Sequence, residues 1–346
     1  MTVQSKLGAT RVARAVWFRG PRDASVGEVA LREATDGDVV VRSVTSGIST
    51  GTELLAYRGE LDPSLATDER LAGLEGTFTY PFRYGYSTVG TVEETASELP
   101  VGALVFAFHP HQDRFVVPVR DLIVLRPGTD PRLAVLLPLL ETALQISLDA
   151  GEVRHEPVVV LGLGPVGILT ALLLQRGGAD VLAVEPLAWR REIATSLGLG
   201  VSPSTVASEF ATWFADRTDG KGVPLTVEVS GNPAALADAL DVLTHEGTVL
   251  VASWYGTKPV SLPLGGAFHR RRLSLRSTQV STIPASMSGR WAVPRRRRVA
   301  AELLAELQGE LRAVATHEFA FGDAAAAYAA LDARVPGLLH ATLRYV

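Results

Sequence analysis

Residues 157–175 restrict the fold of this chain more than any other segment, because 19 consecutive positions carry no charged side chain. That length approaches what a helix needs to cross a bilayer. However, Gly162, Gly164, Pro165 and Gly167 lie in its first half, where they would interrupt a single lipid-embedded helix. A buried strand, a glycine turn and a buried helix explain the same residues better, and we predict that arrangement.

The same alternation continues along the second half of the chain. Apolar runs predict strands at 158–161, 181–185, 225–230, 248–253 and 273–278. Helical patterns separate them, at 166–176, 189–197 and 233–243. Nearly continuous apolar strands between helices are typical of a parallel sheet covered on both faces, so an α/β, doubly wound architecture is predicted here.

The two ends of the chain have a different pattern. Short apolar runs separated by Gly, Pro and Asp predict a β-rich module, with strands at 39–44, 89–92, 104–108 and 114–119. Residues 133–148 read as a buried helix that Pro138 kinks or breaks. The tail predicts helices at 299–307 and 324–331 and strands at 317–321 and 339–346.

The glycine turn carries the strongest functional signal. Its sequence Gly162-Leu163-Gly164-Pro165-Val166-Gly167 follows a predicted strand and opens a predicted helix. In that context the motif is a dinucleotide-binding fingerprint, and all six residues are expected to contact the cofactor. The first glycine permits the tight turn, the second lets the backbone approach the pyrophosphate, and the third permits close helix–strand packing. The helix N-terminus attracts the phosphates.

Glu185 ends the next strand, 18 residues after Gly167. A carboxylate there would accept hydrogen bonds from the adenosine ribose and would repel a 2′-phosphate, which favours NAD over NADP. Arg190 could pair with that phosphate, so NADP stays possible.

Composition excludes several kinds of site. The chain has no cysteine, which excludes disulfides, Cys-ligated zinc, iron–sulfur clusters and a Cys nucleophile. Its 33 basic and 37 acidic residues give a net charge of −4, so neither a nucleic-acid nor a membrane partner is expected. Two arginine-rich runs, 269–272 and 295–298, are interpreted as solvated or interdomain ion pairs; recognition of an anionic group on the substrate is the alternative.

Several segments, correctly ordered, resemble the medium-chain dehydrogenases/reductases over essentially the full length of the chain. They are residues 46–53 (SGISTGTE), 84–90 (YGYSTVG), the glycine turn, 227–232 (VEVSGN) and 247–251 (GTVLV). The first of them is most similar to the bacteriochlorophyllide hydroxyethyl dehydrogenases. The resemblance implies a Rossmann doubly wound parallel sheet (141–280) inserted into a GroES-like β-rich catalytic domain (1–140 plus 281–346), with the substrate cleft between them.

The resemblance also shows where this chain departs from the zinc-dependent members. Their zinc-ligand positions are occupied here by Ser49 or Thr50, by Tyr86 and by Pro138, none of which is a usual zinc ligand. The position of Pro138 follows by counting back four residues from Thr142, which matches the family's nicotinamide-contacting threonine. No metal is therefore expected, and the chain resembles the zinc-free branch.

Without zinc, other groups must stabilise charge on the substrate oxygen. The cleft positions implied by the resemblance offer Ser49, Thr50, Thr52, Glu53 and Tyr86 as candidates. Tyr86 is either the proton donor or a buried aromatic between the domains. Glu53 either takes part in catalysis or anchors its loop by accepting backbone N–H bonds.

Other positions complete the predicted site. Cofactor contacts are expected at Ser230, Val251 and Trp254, besides Thr142. His109 and His111 are expected in a loop lining the cleft, with substrate contact or, as an alternative, a metal site. Glu141, in an apolar helix, is either paired with a cation or an acid/base candidate.

These observations predict a zinc-independent NAD(P)-dependent oxidoreductase that transfers hydride between the nicotinamide and an alcohol/ketone carbon of a small molecule. A quinone- or enoyl-type reductase of an activated C=C bond and a catalytically silent nucleotide-binding redox sensor are the alternatives.

The alternating segment 273–277 would lie at a sheet edge, which predicts a homodimer. No signal peptide is recognised in residues 1–18, so a cytoplasmic location is expected.

Overall fold

A computed structural model describes residues 11–68, 71, 73–205 and 207–346. The first ten residues, more than half of the segment considered for a signal peptide, lie outside these ranges. Within them, no helix combines the length and the apolar character that crossing a membrane requires.

The N-terminal part of the chain consists mainly of strands. They are β1 (Val12–Gly20), β2 (Asp23–Ala30), β3 (Asp38–Ile48), β4 (Thr88–Thr95), β5 (Leu104–Ala107), β6 (Arg114–Pro118) and β7 (Leu122–Val124). Its helices are α1 (Thr52–Arg58), α2 (Pro131–Ala134) and α3 (Leu137–Ala150). The helix expected over 133–148 is interrupted, as predicted, because Pro138 occupies the first turn of α3, where a missing N–H breaks no helical bond.

The middle of the chain alternates strands and helices. Its strands are β8 (Pro157–Leu161), β9 (Asp180–Val184), β10 (Val223–Glu228), β11 (Leu243–Val251) and β12 (Ser274–Ser277). Its helices are α4 (Pro165–Arg176), α5 (Ala188–Ser196), α6 (Ala207–Thr218) and α7 (Pro233–Asp241). The 19 uncharged residues are thus divided among β8, the glycine turn and most of α4, as predicted.

These five strands form one sheet in the order β12-β11-β10-β8-β9, with every neighbouring pair parallel. Alternate residues of β8 pack into different apolar clusters: Val158 and Val160 into one, Val159 and Leu161 into another. The sheet is therefore buried on both faces, which explains its continuous apolar strands.

The C-terminal part returns to the first sheet. It contains α8 (Val293–Glu306), α9 (Gln308–Val314), β13 (His317–Ala320), α10 (Ala324–Asp332) and β14 (Ala341–Arg344). Strand β14 pairs antiparallel with β3, which places the tail in a mixed sheet of order β13-β14-β3-β4-β5-β7, with β6 also on β3. The predicted fold class is confirmed: a Rossmann-like parallel sheet inserted into a GroES-like β-rich region.

The sequence analysis missed several elements. The hairpin β1–β2 and the helices α1, α6 and α9 were not predicted, and α8 begins at Val293, not at 299. Helices α1 and α9 have seven residues each, too few to show a clear 3.6-residue period. The arginine run 295–298 lies in the first turns of α8. Arg296 is buried there, so the run belongs to the helix and contributes to its packed face.

Candidate active site

The glycine turn joins β8 to α4 at the carboxyl end of the parallel sheet. Gly162 has φ +99°, and a Cβ at this position would lie 2.6 Å from Cα of Ser230. A Cβ at Gly167 would lie 2.0 Å from the carbonyl oxygen of Gly162. At Gly164, by contrast, the nearest atom is Nη1 of Arg190, 4.0 Å away. Gly162 and Gly167 thus allow close packing within the protein. Gly164 instead leaves open space where the pyrophosphate of a dinucleotide could approach the backbone.

Glu185, which directly follows β9, is tied to this turn. Its Oε2 accepts the N–H of Leu163 at 2.8 Å and its Oε1 accepts the N–H of Leu187 at 3.0 Å. Arg190 lies beside it, with Nη1 3.6 Å from Glu185 Oε2 and the guanidinium 5.1 Å from the ring centre of Trp189. Burial lowers the pKa of Arg190. A carboxylate and an arginine therefore stand together where the adenosine ribose of a dinucleotide would bind.

The neighbouring strand ends meet at the same edge. Leu161 pairs with Glu228, which in turn pairs with Val251, so the residues that follow β8, β10 and β11 lie side by side. Ser230 donates its N–H to Glu228 Oε1 at 2.8 Å. The Tyr255 hydroxyl donates to Glu228 Oε2 at 2.5 Å, and burial together with this carboxylate raises the pKa of Tyr255.

Two further predicted cofactor positions are partly accessible. Thr142 is half-buried on α3, and its Oγ1 donates to the carbonyl oxygen of Pro138 at 2.9 Å. Trp254 is 43% exposed and makes an edge contact with Phe78, with ring centres 6.3 Å apart. Trp254 therefore joins the carboxyl edge of the parallel sheet to the β-rich region.

Tyr86 and the hydroxyls of residues 49–52, here named the hydroxyl loop, form the polar side of the site. The side-chain hydroxyls of Ser49 and Thr52 lie beside the Tyr86 phenol, and Thr50 lies half-buried in the same loop. Burial and the charge of Glu53 raise the pKa of Tyr86 to about 12, although the two hydroxyl contacts act in the opposite direction. The phenol is consequently protonated at neutral pH and is able to donate a proton.

Glu53 lies behind this surface and is fully buried. Its Oε1 accepts the N–H of Ser49 at 2.8 Å, and its Oε2 accepts the hydroxyl of Tyr328. The same Oε2 lies 2.8 Å from Nε2 of His111, whose Nδ1 lies 2.7 Å from Oγ of Ser46. These contacts are the ones that the structural role, anchoring of the loop, requires of Glu53.

His109 and His111, which were expected in a loop lining the substrate cleft, are both buried within the β-rich region. His111 is fully buried, with both ring nitrogens bonded within the Glu53 network. His109 stacks on Phe115 at 4.0 Å, bonds through Nδ1 to the carbonyl oxygen of Pro110, and has its pKa lowered to about 3 by burial. The segment runs inside the β-rich region because β1 pairs with it, as the bond from the N–H of Val16 to the His111 carbonyl shows.

Glu141 is paired, which leaves it unsuited to acid/base chemistry. Arg296, 1% exposed, donates to Glu141 Oε1 from Nε at 3.1 Å and from Nη2 at 2.9 Å. Arg297 Nε lies 3.4 Å from the same oxygen. In the other arginine run, Arg272 pairs with Glu246 at 3.0 Å. The interpretation of these runs as ion-pairing segments is confirmed for these residues.

The residues present at the family's zinc-ligand positions do not fit that metal. Ser49, Thr50 and Tyr86 offer hydroxyl groups, Pro138 offers no side-chain donor, and His111 has neither ring nitrogen to spare. Across the described ranges, no group of three His, Asp or Glu side chains converges in an arrangement that could hold a metal ion.

The sequence analysis missed the partners that organise the site. His111, Tyr328 and Ser46 surround Glu53, yet Tyr328 lies 275 positions away along the chain. The sequence did offer one signal, an acidic residue next to an apolar run, as at Glu53 and Glu228. A carboxylate in such a place is buried only if it has hydrogen-bond or charge partners. Residue spacing does not identify those partners.

Comparison with known proteins gives the site its context. Residues 165–293 match the family described as zinc-binding dehydrogenase. The chain is 29% identical over 271 residues to 2-desacetyl-2-hydroxyethyl bacteriochlorophyllide A dehydrogenase of Cereibacter sphaeroides. The aligned segment covers 73% of this chain and 77% of that relative.

Two solved structures share the fold over nearly the whole chain. One is a short chain alcohol dehydrogenase from Escherichia coli CFT073 complexed with NADH (TM-score 0.75, 16% identity, covering 96% of this chain and 99% of that one). The other is 2R,3R-butanediol dehydrogenase from Bacillus subtilis (TM-score 0.76, 18% identity, covering 96% and 99%). Together with the parallel sheet and the glycine turn, these matches show a zinc-binding dehydrogenase domain at residues 165–293 and support an NAD(P)-dependent oxidoreductase that resembles the medium-chain dehydrogenases/reductases.

Proposed function

We propose that the protein is a zinc-independent dehydrogenase that transfers hydride between NAD(H) and the alcohol/ketone carbon of a small molecule, with Tyr86 as the proton donor. The observation that carries this proposal is a protonated phenol, flanked by the hydroxyls of Ser49 and Thr52, where zinc-dependent relatives place a metal ligand.

Thr142, Ser230 and Val251 would hold the nicotinamide, which would supply hydride to the carbonyl carbon in the reductive direction, so that negative charge would develop on the carbonyl oxygen. Ser49, Thr50 and Thr52 provide hydroxyl donors for that charge, and Tyr86 transfers its proton to the oxygen. A pKa of about 12 keeps the donor loaded at neutral pH. The same pKa makes the Tyr86 phenolate scarce, so alcohol oxidation, which needs a base, is expected to be the slower direction.

The donor chemistry of the site supports zinc independence. Hydroxyl groups of serine, threonine and tyrosine are not usual zinc ligands in proteins, and the chain has no cysteine to replace them. The hydrogen-bond donors described above take over the stabilisation of charge that the metal provides in the zinc-dependent relatives.

NAD is the preferred cofactor in this proposal. Glu185 is held beside the glycine turn by two backbone N–H groups, so a 2′-phosphate would meet a fixed carboxylate. Arg190 would offset part of that repulsion, but it lies 3.6 Å from Glu185 and is already engaged there.

The remaining assignments are proposals of the same kind. Residues 141–280 would form the dinucleotide-binding domain, and residues 1–140 with 281–346 the catalytic domain. Strand β12 is the edge of the parallel sheet, and pairing of two such edges would form a homodimer in the cytoplasm.

The proposal is tested by fluorescence titration with NADH and with NADPH, followed by a substrate panel. We expect saturable NADH binding, loss of it in Gly164→Asp, and retention of the fold in Gly164→Ala, where a Cβ meets open space. Ketones should be reduced with less than stoichiometric zinc in the preparation, measured by elemental analysis. One firmly bound zinc per chain, or turnover of activated alkenes without turnover of ketones, would contradict this mechanism.

A further inference from the structure

A cavity lies in the β-rich region, and its lining does not include the glycine turn. Its volume is about 1350 Å³, and its walls come from the loop around residues 73–83, from strands β5 to β7 and from helix α8. Among the described residues that line it, none belongs to the glycine turn, to the hydroxyl loop at Ser49 or to the strand ends near Ser230. The cavity is therefore separate from the proposed catalytic site.

Arg83 is the most unusual group in this cavity. Its Nη1 donates to Oε1 of Gln112 at 2.7 Å, and its guanidinium lies 5.5 Å from the ring centre of Trp17. Within the part of the chain that the structure describes, no carboxylate comes within ion-pair distance of it. Burial lowers the pKa of Arg83. The charge of Glu75 acts in the opposite direction but forms no ion pair with Arg83, so this partly desolvated cation keeps a free-energy cost that an anionic ligand would recover.

Arg297 reaches the same cavity from helix α8. Its guanidinium lies 4.5 Å from the ring centre of Phe108, and its buried Nε has no hydrogen-bond partner. The carboxylate nearest to that Nε, Glu141, is already bonded twice to Arg296. Arg297 therefore keeps donor capacity, and its side chain is 36% exposed.

The charges around the cavity are predominantly positive. Among the described lining residues there are six arginines and three carboxylates, and Arg32 is neutralised by Asp38 in a two-bond ion pair. The pKa of the neighbouring His109 is lowered chiefly by burial and also by the charge of Arg83. The field in this cavity thus favours an anion.

The rest of the lining is apolar and aromatic. Trp17, Phe108 and Phe115 contribute rings, and Val124, a large apolar residue that is 57% exposed, also borders the space. Inorganic ions would leave these surfaces in contact with water. A molecule with both an acid group and an apolar body would cover them.

We propose that this cavity binds an amphipathic organic anion, a carboxylate or phosphate attached to an aliphatic or aromatic body. Arg83 supplies the counter-charge for the acid group, Arg297 adds to the positive field, and the ring-lined wall holds the apolar body. Binding here is independent of the nicotinamide cofactor, because the two sites share none of their described lining residues.

Calorimetric titration of the whole protein with dodecanoate, dodecyl phosphate and dodecanol, all below their aggregation limits, tests the proposal. We expect saturable binding of at least one of the two anions. The neutral alcohol should bind at least about tenfold more weakly than that anion, which is the loss expected for one charge-assisted contact. The tighter anion identifies the acid group. Equal binding of dodecanol, or no saturable binding of either anion, would overturn the proposal.

Variants then locate the site. Arg83→Met keeps an unbranched apolar stem, removes the charge and should weaken anion binding about tenfold, whereas Arg154→Met, at an exposed position outside the cavity, should leave it unchanged. Ala305→Trp, on the exposed part of the lining, should fill the space without disturbing the core. Unaltered anion binding in both Arg83→Met and Ala305→Trp would refute the assignment.

Independence from the catalytic site is measured with the same probes. Gly164→Asp should lose NADH binding and keep anion binding, and NADH should not displace the anion from the wild-type protein. Displacement by NADH would place the anion in the nicotinamide site and overturn the inference.

Discussion

The carboxylate of Glu53 lies 2.8 Å from Nε2 of His111, and both side chains are fully buried although they are 58 positions apart in the sequence. Tyr328 donates to the same carboxylate, and the N–H of Ser49 donates to its other oxygen. Glu53 thereby connects the hydroxyl loop, the interior of the β-rich region and helix α10. Its charge also raises the pKa of Tyr86, which links a structural group to the proposed proton donor.

Replacement of Glu53 by Gln should therefore have two separable effects. The amide NH₂ would face a group that itself donates, so the free energy of unfolding in urea should fall by about 1–3 kcal/mol. The lost charge should lower the pKa of Tyr86, because Glu53 raises it. Since Tyr86 donates only while protonated, the alkaline limit of ketone reduction should move to lower pH. Tyr328→Phe serves as the control that removes one bond and keeps the charge; an equal pH shift in that variant would contradict the electrostatic explanation.

Tyr86→Phe should reduce kcat for ketone reduction by roughly 10²–10⁴-fold, the usual contribution of a positioned proton donor. NADH affinity should not change, since the phenol is assigned to the substrate oxygen. The neighbouring Tyr84→Phe provides a matched control, because Tyr84 is also a buried phenol and its ring centre lies 6.0 Å from that of Tyr86. Comparable losses in both variants would indicate a packing defect in place of a lost proton donor.

Glu185→Ala should raise the affinity for NADPH relative to NADH, on the order of tenfold, because the carboxylate that repels a 2′-phosphate is removed while Arg190 remains. Arg190→Ala should change the ratio in the opposite direction. The ratio of the two dissociation constants is the quantity to compare, since Glu185 also accepts the N–H of Leu163 and its loss weakens the turn for both cofactors. An unchanged ratio in Glu185→Ala would remove the basis for the NAD preference.

Arg296→Met should lower the free energy of unfolding by about 3–5 kcal/mol, because it leaves the buried Glu141 carboxylate without its two-bond partner. The double variant Arg296→Met with Glu141→Leu should recover much of that loss, since no buried charge then remains. Urea denaturation of the single and double variants makes the comparison. A double variant less stable than Arg296→Met would show that packing, not the uncompensated charge, dominates.

Gly256→Ala should weaken the contact between the loop after β11 and the turn that follows helix α1. Gly256 has φ +61°, and a Cβ there would lie 2.1 Å from the carbonyl oxygen of Glu60, which also accepts the N–H of Thr257 at 2.9 Å. Gly220 provides a control, because its φ of +68° is similar but a Cβ there meets no atom within 4 Å. Thermal denaturation should show a larger loss for Gly256→Ala than for Gly220→Ala; equal losses would attribute both to backbone strain alone.

The parallel sheet was predictable because its signals are local. An apolar strand buried on both faces, a glycine turn and a helix follow one another within 19 residues, and the same pattern recurs. The hairpin β1–β2 and the short helix α1 were not predictable, because short or half-exposed elements leave a weak periodic signal and depend on partners elsewhere in the chain.

The candidate site divides in the same way. The glycine turn, Glu185 and the absence of cysteine follow from the sequence by itself, because residue type and short spacing determine backbone conformation, anion binding and the available ligands. Only the tertiary structure decided that His111 and Tyr328 enclose Glu53, that Arg296 neutralises Glu141, and that His109 borders the cavity that Arg83 lines. The physical reason is that burial of a charge requires partners, and packing of the whole chain selects them from residues far apart in sequence.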